Sequence, residues 1–259
     1  MLGYHAAKAA LEWQVELGAT EAIGDAPVNR YEVSATPSAP VRPVVAAAPV
    51  VEAVAEAVAA AADPVAEARS AAARASDLAA LAAAVAAYPH CDLRRGARNT
   101  VFADGTPGAR VMILGEAPGR EEDIAGLPFV GRAGQMLDRM FAAIGLSRRG
   151  EGAAALYIAN MLPWRPPQNR DPTPEEIAML RPFVARHVEL AAPQVLVVMG
   201  NIACQGVLGR RGITRLRGQW TEALGLPALP MFHPAYLLRT PSAKRQAWED
   251  LLSLKERLG

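Results

Sequence analysis

The sequence predicts a parallel α/β fold behind an N-terminal helical and low-complexity extension. In the second part of the chain, short apolar runs alternate with stretches of helical periodicity. Strands that alternate with helices are typical of a parallel sheet covered on both faces. The first 87 residues are rich in Ala, Pro and Val instead, and they lack this alternation.

The extension divides into two segments. Residues 1–35 are predicted to be a helical segment, because apolar and charged side chains intermingle at helical spacing over residues 4–18. Residues 36–87 are predicted to be a linker followed by helix, since prolines interrupt the first half and Ala dominates the second. Near Tyr88 the Ala repeats give way to Gly, Arg and mixed polarity. Residues 88–259 are therefore predicted to form the functional domain.

The predicted elements of this domain alternate along the chain. Apolar runs predict strands at residues 111–114, 156–161, 195–199 and 229–232. Helical spacing predicts helices at residues 133–145, 174–191, 201–208 and 241–258.

Composition bounds the possible function. Two cysteines give neither a disulfide framework nor metal-ligand spacing, which agrees with a reduced, cytoplasmic location. We see no signal peptide and no apolar run long enough for a membrane span. Residues 1–87 carry a net charge of −5 and residues 88–259 a net charge of +6, with Arg as the main cation. An Arg-rich basic domain suits a polyanionic partner.

The loops that follow the four predicted strands are expected to converge on one crevice. Ligands of open α/β sheets bind at the carboxyl ends of the strands. The loops contain GEAPG from Gly115, Asn160 with the segment WRPPQNR, Gly200-Asn201, and HPAYLLR from His233.

Four side chains at these positions suit a flat, neutral ring that is rich in amide groups. Phe129 offers a stacking face, and Asn160 presents a donor and an acceptor that match an imide edge. His233 can donate to an oxygen that gains negative charge. Together with Glu116, which ends the first strand, these side chains form a candidate base pocket. The GEAPG loop lacks the Lys-Ser/Thr of a P-loop, which makes a nucleotide-phosphate site the weakest alternative.

Residues 88–258 resemble the iron–sulfur type (family 4) uracil-DNA glycosylases. The resemblance rests on four motifs in one order, GEAPGxxED, PFVGRAGQxLD, NxxxxRPPxNRxPTPEEI and HPAYLLR. It implies a three-layer α/β/α sandwich around a central four-stranded parallel sheet. It also implies hydrolysis of the N-glycosidic bond of deoxyuridine in DNA, which leaves an abasic site for base excision repair.

The resemblance also implies roles for individual residues. The positions that match catalytic residues are Glu116, Glu122, Asn169 and His233. Those expected to lie against uracil are Gly115, Ala117, Phe129 and Asn160. Those expected to contact DNA are Arg165, Arg170, Leu237, Leu238 and Arg239, the last three where these enzymes push into the duplex.

The chain departs from the family at the iron–sulfur cluster. The four positions that match the cluster cysteines hold Tyr88, Cys91, Trp164 and Leu180, so one thiol of four remains. A [4Fe–4S] cluster needs four ligands, and we therefore expect no metal and no other cofactor. Apolar packing of Tyr88, Trp164 and Leu180 is expected to join the start of the domain to the segment 161–182.

The sequence leaves the residue that activates water open. The best-known uracil glycosylases have an Asp where this chain has Ala117, and family 4 members lack it as well. Glu122, Asp123 and Asn169 are candidates, although Asp123 also suits the N-terminal cap of a helix.

The sequence therefore predicts a monofunctional uracil-DNA glycosylase that works without a cluster. The alternatives are a glycosylase for hypoxanthine or xanthine, and a non-catalytic protein that binds abasic sites or lesions. The expected partner is uracil-containing DNA, single- or double-stranded, and the protein is expected to be a monomer with no membrane contact.

Overall fold

The computed structural model describes residues 63–259. The predicted helical segment 1–35 and residues 36–62 of the predicted linker lie outside the described residues.

Six strands in the described part of the chain form one mixed sheet in the order β1-β3-β2-β4-β6-β5. They are β1 Ala103–Gly105, β2 Val111–Gly115, β3 Leu156–Asn160, β4 Val195–Met199, β5 Thr221–Ala223 and β6 Leu226–Met231. The inner strands β3, β2, β4 and β6 are parallel, and β1 and β5 pair antiparallel at the two edges. The predicted parallel strands are confirmed, but the predicted number of strands, four, is corrected to six.

The edge strands escaped prediction because they are short. Each has three residues, ADG and TEA, which is too few for a hydrophobic period to show. They extend a parallel core in which Ile113 pairs with Ile158 on one side and Val197 on the other.

Helices connect and cover the strands. In chain order they are α1 Pro64–Arg74, α2 Leu78–Ala87, α3 Leu93–Gly96, α4 Arg120–Ala125, α5 Arg132–Ala142, α6 Pro174–Ala191, α7 Asn201–Leu208, α8 Ile213–Leu216, α9 Pro234–Arg239 and α10 Lys244–Leu258. The longest, α6, begins where Thr173 and Glu176 form a capping box with Pro174 in the first turn. The four helices predicted in the domain correspond to α5, α6, α7 and α10.

Both faces of the inner sheet are covered. Every residue of β2, β3 and β4 is buried, as the continuous apolar character of these strands requires. Helix α7 packs on β2 and β4, and α10 packs on β6. Helix α6 contacts α1, α2 and α7, while α5 contacts α9 and α10.

Helices α1 and α2 belong to the same compact unit as the sheet. Asp63 and Asp77 cap them by accepting hydrogen bonds from backbone N–H groups of the first turn. Leu81 of α2 is fully buried, and the Arg186 guanidinium of α6 donates to the carbonyl of Ala75 between the two helices.

The loops at the carboxyl edge of the sheet are held by backbone hydrogen bonds. Met161 N–H donates to the Gly115 carbonyl at 2.9 Å, and Gly200 N–H donates to the Met231 carbonyl at 3.1 Å. These bonds join the end of β2 to the end of β3 and the end of β4 to the end of β6. In residues 63–259, no helix combines the length and the apolar composition that a membrane span requires.

Candidate active site

A cavity of about 320 Å³ opens at the carboxyl edge of the parallel strands. The loops after β2, β3, β4 and β6 all contribute to its lining, as the sequence predicts for a parallel sheet. The predicted site residues that line it are Glu116, Ala117, Glu122, Phe129, Asn160, Asn169, Arg170, His233 and Arg239.

Glu116 is fixed at the junction between β2 and α7. Its Oε1 accepts a hydrogen bond of 3.0 Å from the backbone N–H of Ile202. Gly200 has φ +93°, and a Cβ at that position would overlap the Glu116 carboxylate. A glycine at the end of β4 is therefore what lets this carboxylate lie against the next loop.

Gly115, the last residue of β2, lies against two side chains that line the cavity. A Cβ on Gly115 would overlap the Asn160 amide oxygen and the Phe129 ring, so only glycine allows both side chains to approach. Phe129 is buried, with φ +53°, and its ring stacks on His233 with centroids 5.4 Å apart. Asn160 is 8% exposed and lines the cavity.

His233 lines the cavity, and one of its two ring nitrogens is engaged by the backbone. It is the N-cap of α9, where its Nδ1 accepts a hydrogen bond of 3.2 Å from Ala235 N–H. Because Nδ1 accepts, the proton of the neutral ring is assigned to Nε2. Burial lowers the pKa of His233, an effect that Glu116 opposes and Arg239 reinforces. The site therefore holds a neutral imidazole whose Nε2–H can donate.

The Glu122 carboxylate is hydrogen-bonded to backbone N–H groups. Its Oε2 accepts from Gly119 N–H at 3.1 Å, and its Oε1 accepts from the N–H groups of Val130 and Gly131 at 3.0 Å each. Asp123 behaves in the same way, since its Oδ1 accepts from the backbone N–H of Arg98 at 2.8 Å. Both carboxylates bind the loops around the cavity together.

The loop after β3 brings polar groups to the opposite wall. Asn169 has φ +55°, and its Oδ1 accepts from Arg165 Nε at 2.8 Å. Arg170 forms a forked ion pair with Glu176, and this hydrogen bonding lowers the pKa of the Glu176 carboxyl. Asn169 and Arg170 line the cavity, whereas Arg165 acts on it through Asn169.

The residues that follow His233 differ in their exposure to solvent. Leu237 is fully buried in the core, Leu238 is half-buried, and Arg239 is exposed at the cavity rim. Leu237 is therefore not accessible at the surface in this structure, and its predicted contact with DNA stays a prediction. Leu238 and Arg239 are the residues of this segment that remain accessible.

Sequence reasoning missed several lining residues. Ile202 and Asp171 line the cavity, and Asp171 pairs with Arg211 at 2.7 Å. The sequence does indicate Ile202, because this residue directly follows Gly200-Asn201, which is predicted to lie at the crevice. Nothing in the local pattern marks Asp171, whose position depends on the course of the loop.

The four positions that match cluster ligands are packed into the core. The Tyr88 hydroxyl donates to the Pro64 carbonyl at 2.7 Å, and Trp164 Nε1 donates to Thr100 Oγ1 at 3.1 Å. Burial raises the pKa of the Cys91 thiol. Leu180 is 1% exposed. In the described residues, no group of three or more His, Cys, Asp or Glu side chains has metal-binding geometry. These residues do not fit an iron–sulfur cluster.

The chain is similar in sequence to known proteins of one family. The family model "Uracil DNA glycosylase superfamily" matches residues 102–252. The chain is 36% identical over 178 residues to a type-4 uracil-DNA glycosylase of Archaeoglobus fulgidus, which covers 65% of this chain and 87% of that protein. It is 38% identical over 170 residues to a type-4 uracil-DNA glycosylase of Thermotoga maritima, which covers 64% of this chain and 86% of that protein.

Proposed function

Because the chain belongs to the uracil DNA glycosylase superfamily and is a DNA glycosylase, we propose that it removes uracil from DNA as a monofunctional enzyme without an iron–sulfur cluster. The product is an abasic site, and the uracil-containing DNA strand is the substrate. One observation carries the proposal: a stacking ring, a free amide edge and a neutral imidazole donor line one cavity at the strand ends.

Each of these groups has a separate task in holding an extruded base. Phe129 supplies the face on which uracil stacks, and Asn160 reads the N3–H and O4 edge. His233 donates from Nε2 to O2 of the base. Extrusion costs a few kcal/mol of stacking and pairing, which these contacts repay.

The reaction breaks the bond between C1′ of the deoxyribose and N1 of uracil. The bonding electron pair leaves with uracil, and a water molecule adds to C1′. The proton that this water releases is taken up through solvent by the uracil anion, which gives neutral uracil. Negative charge grows on O2 as the bond breaks, so the His233 donor acts more strongly in the transition state than on the bound base. One such donor contributes about 3–4 kcal/mol at best.

Asn169 is the best remaining candidate for positioning the water. Glu122 and Asp123 have carboxylates engaged by backbone N–H groups, which leaves them poorly suited to accept a proton. Asn169 lines the cavity and is oriented by Arg165. An amide orients water without taking its proton, which suits a largely dissociative reaction.

The proposal of a cluster-free enzyme rests on the side chains at Tyr88, Trp164 and Leu180. All three are buried, and two make hydrogen bonds of their own. The test is iron and sulfide analysis of protein purified anaerobically, with the visible spectrum measured on the same sample. Stoichiometric iron with cluster absorbance would contradict the proposal.

Excision on end-labelled oligonucleotides tests the function itself. Single- and double-stranded substrates carry one uracil, hypoxanthine or xanthine and are treated with alkali after incubation. We expect strand breaks at uracil alone, and only after alkali. Breaks at hypoxanthine or xanthine would show that the enzyme acts on a purine lesion. Retention of an abasic oligonucleotide without any excision would indicate a binding protein.

A further inference from the structure

Residues 128–131 form a corner that carries Phe129. Buried charged side chains bind the backbone of this corner from two sides. On one side stands Arg148, which is 8% exposed. Its Nη1 donates to the Pro128 carbonyl and its Nη2 donates to the Phe129 carbonyl, both at 2.9 Å. On the other side, Glu122 accepts from the next two N–H groups of the corner. Four consecutive residues thus have a backbone group bound to a buried charge.

Arg148 is itself held in place by two carboxylates. Its Nε donates to Asp138 Oδ1 at 2.8 Å, and its Nη1 lies 3.0 Å from Asp104 Oδ2. The Asp104 side chain is 7% exposed, so this pair is shielded from water. A guanidinium is a rigid planar fork, which fixes the direction of each bond it makes. The two carboxylates fix the orientation of the Arg148 guanidinium, which in turn fixes the direction of the Pro128 and Phe129 carbonyls.

The corner needs this support because its backbone is unusual. Phe129 has φ +53°, a region that a bulky residue adopts at a cost of roughly 1–3 kcal/mol unless its surroundings impose it. On the far side, Gly134 of α5 lies so close that a Cβ there would overlap the Phe129 carbonyl. The carbonyl is thus confined between Arg148 and α5, and the ring direction follows from the backbone.

We propose that Arg148 is a positioning residue for uracil recognition, which acts by fixing the Phe129 ring against the base. This inference rests on the proposed function, because it assumes that Phe129 stacks on uracil. Arg148 does not line the cavity and touches neither the base nor the reacting bond. Its effect passes through the carbonyls of Pro128 and Phe129.

The variant Arg148→Lys tests the inference in the full-length protein. Lysine keeps the positive charge facing Asp104 and Asp138 but cannot replace the forked contact with both carbonyls. The matched control is Arg149→Lys, since Arg149 is 72% exposed and reaches Asp104 without touching the corner. The measurements are single-turnover excision at saturating enzyme and inhibition of excision by free uracil.

We expect Arg148→Lys to slow excision by about tenfold to a hundredfold, the scale of a small misplacement in an active site. Inhibition by free uracil should weaken in the same variant, whereas Arg149→Lys should match the unmodified protein in both measurements. Uracil inhibition equal to that of the unmodified protein would overturn the inference.

A double variant separates positioning from a general loss of structure. If Arg148 acts through the ring, Arg148→Lys should add less than about twofold to the defect of Phe129→Ala, because interacting sites are not additive. If the rate defects of the two single variants multiply in the double variant, the inference is overturned. Should Arg148→Lys not fold, Asp138→Asn provides the same test, since Asp138 is half exposed and contacts Arg148. Absence of uracil excision by the unmodified protein would instead refute the proposed function.

Discussion

At His233, a single backbone hydrogen bond decides which ring nitrogen carries the proton of the neutral ring. Ala235 N–H occupies Nδ1, and burial lowers the pKa of the ring, so the neutral Nε2–H form persists at neutral pH. A neutral donor suits a leaving group whose charge appears only as the bond breaks.

Removal of either of the two polar groups proposed to contact the base should therefore slow excision. We expect His233→Ala and Asn160→Ala each to lower the single-turnover rate by roughly tenfold to a thousandfold, because each removes a contact that matters in the transition state. His90→Ala is the control, since His90 lies outside the cavity and pairs with Glu67. Rates close to that of the unmodified protein in both cavity variants would show that the pocket is misassigned.

The sequence predicted which residues line the cavity better than it predicted the contacts that each of them makes. Asn160 ends β3, and Glu116 and His233 lie just after the ends of β2 and β6. The ends of parallel strands meet at one edge of the sheet whatever the details of packing. The bonds of Glu122 and the burial of Leu237 depend on segments distant in the chain. Local pattern carries no information on such partners.

At the scale of elements, α6 ties the sheet to both the N-terminal helices and the loop after β3. It carries Leu180, at a position that matches a cluster cysteine of the family, and His187 further along. Glu176, which shares the capping box with Thr173, also anchors Arg170 at the cavity. The sequence predicted this helix because its start signals are local, whereas the edge strands β1 and β5 exist only through pairing with β3 and β6.

If apolar packing replaces the cluster, Leu180 should carry a large share of stability. We expect Leu180→Ala to lower the free energy of unfolding by about 2–5 kcal/mol, because it leaves a cavity in a packed core. The matched control is Leu252→Ala, where the side chain is 45% exposed and the cost should stay within about 0.5 kcal/mol. Denaturant unfolding measures both, and equal costs would contradict the role of Leu180.

His187 makes this helix sensitive to acid. It stacks on Phe102 and hydrogen-bonds the Tyr157 hydroxyl at 2.8 Å, and burial lowers its pKa from 6.5 to about 4. Between these two values the unfolded chain binds a proton that the folded chain does not, so stability falls as pH falls. We expect this residue to account for a loss of about 2 kcal/mol between pH 7 and pH 5.

Denaturant unfolding at both pH values measures that loss. The variant His187→Gln has no group that titrates in this range, so its stability should change less between the two pH values than that of the unmodified protein. An identical change in the two proteins would show that the titration of His187 does not contribute.

At the scale of the whole molecule, the described chain is a single compact unit that includes α1 and α2. The composition change near residue 88 predicted the start of the functional domain, and that boundary stays a prediction. Composition marks where Ala repeats stop, but an Ala-rich helix buries small side chains as readily as a mixed one. Ala68 and Ala72 of α1 are both buried.

Two truncated chains separate the composition boundary from the packing. A chain of residues 63–259 keeps the Asp63 cap, the buried Leu81 and the Arg186 contact with Ala75. A chain of residues 88–259 loses all three, exposes the face of α6 that α1 and α2 cover, and leaves the Tyr88 hydroxyl without the Pro64 carbonyl.

We expect the longer chain to melt cooperatively and to excise uracil at the full-length rate. The shorter chain should lose several kcal/mol of stability and melt on the order of ten degrees lower, because apolar surface returns to water. Thermal unfolding followed by circular dichroism, with excision measured on the same samples, checks both. Equal melting temperatures would place the domain boundary at residue 88 and reduce α1 and α2 to an appendage. A deficit confined to the shorter chain would make them part of the glycosylase domain, in which they pack against the helix that carries Leu180.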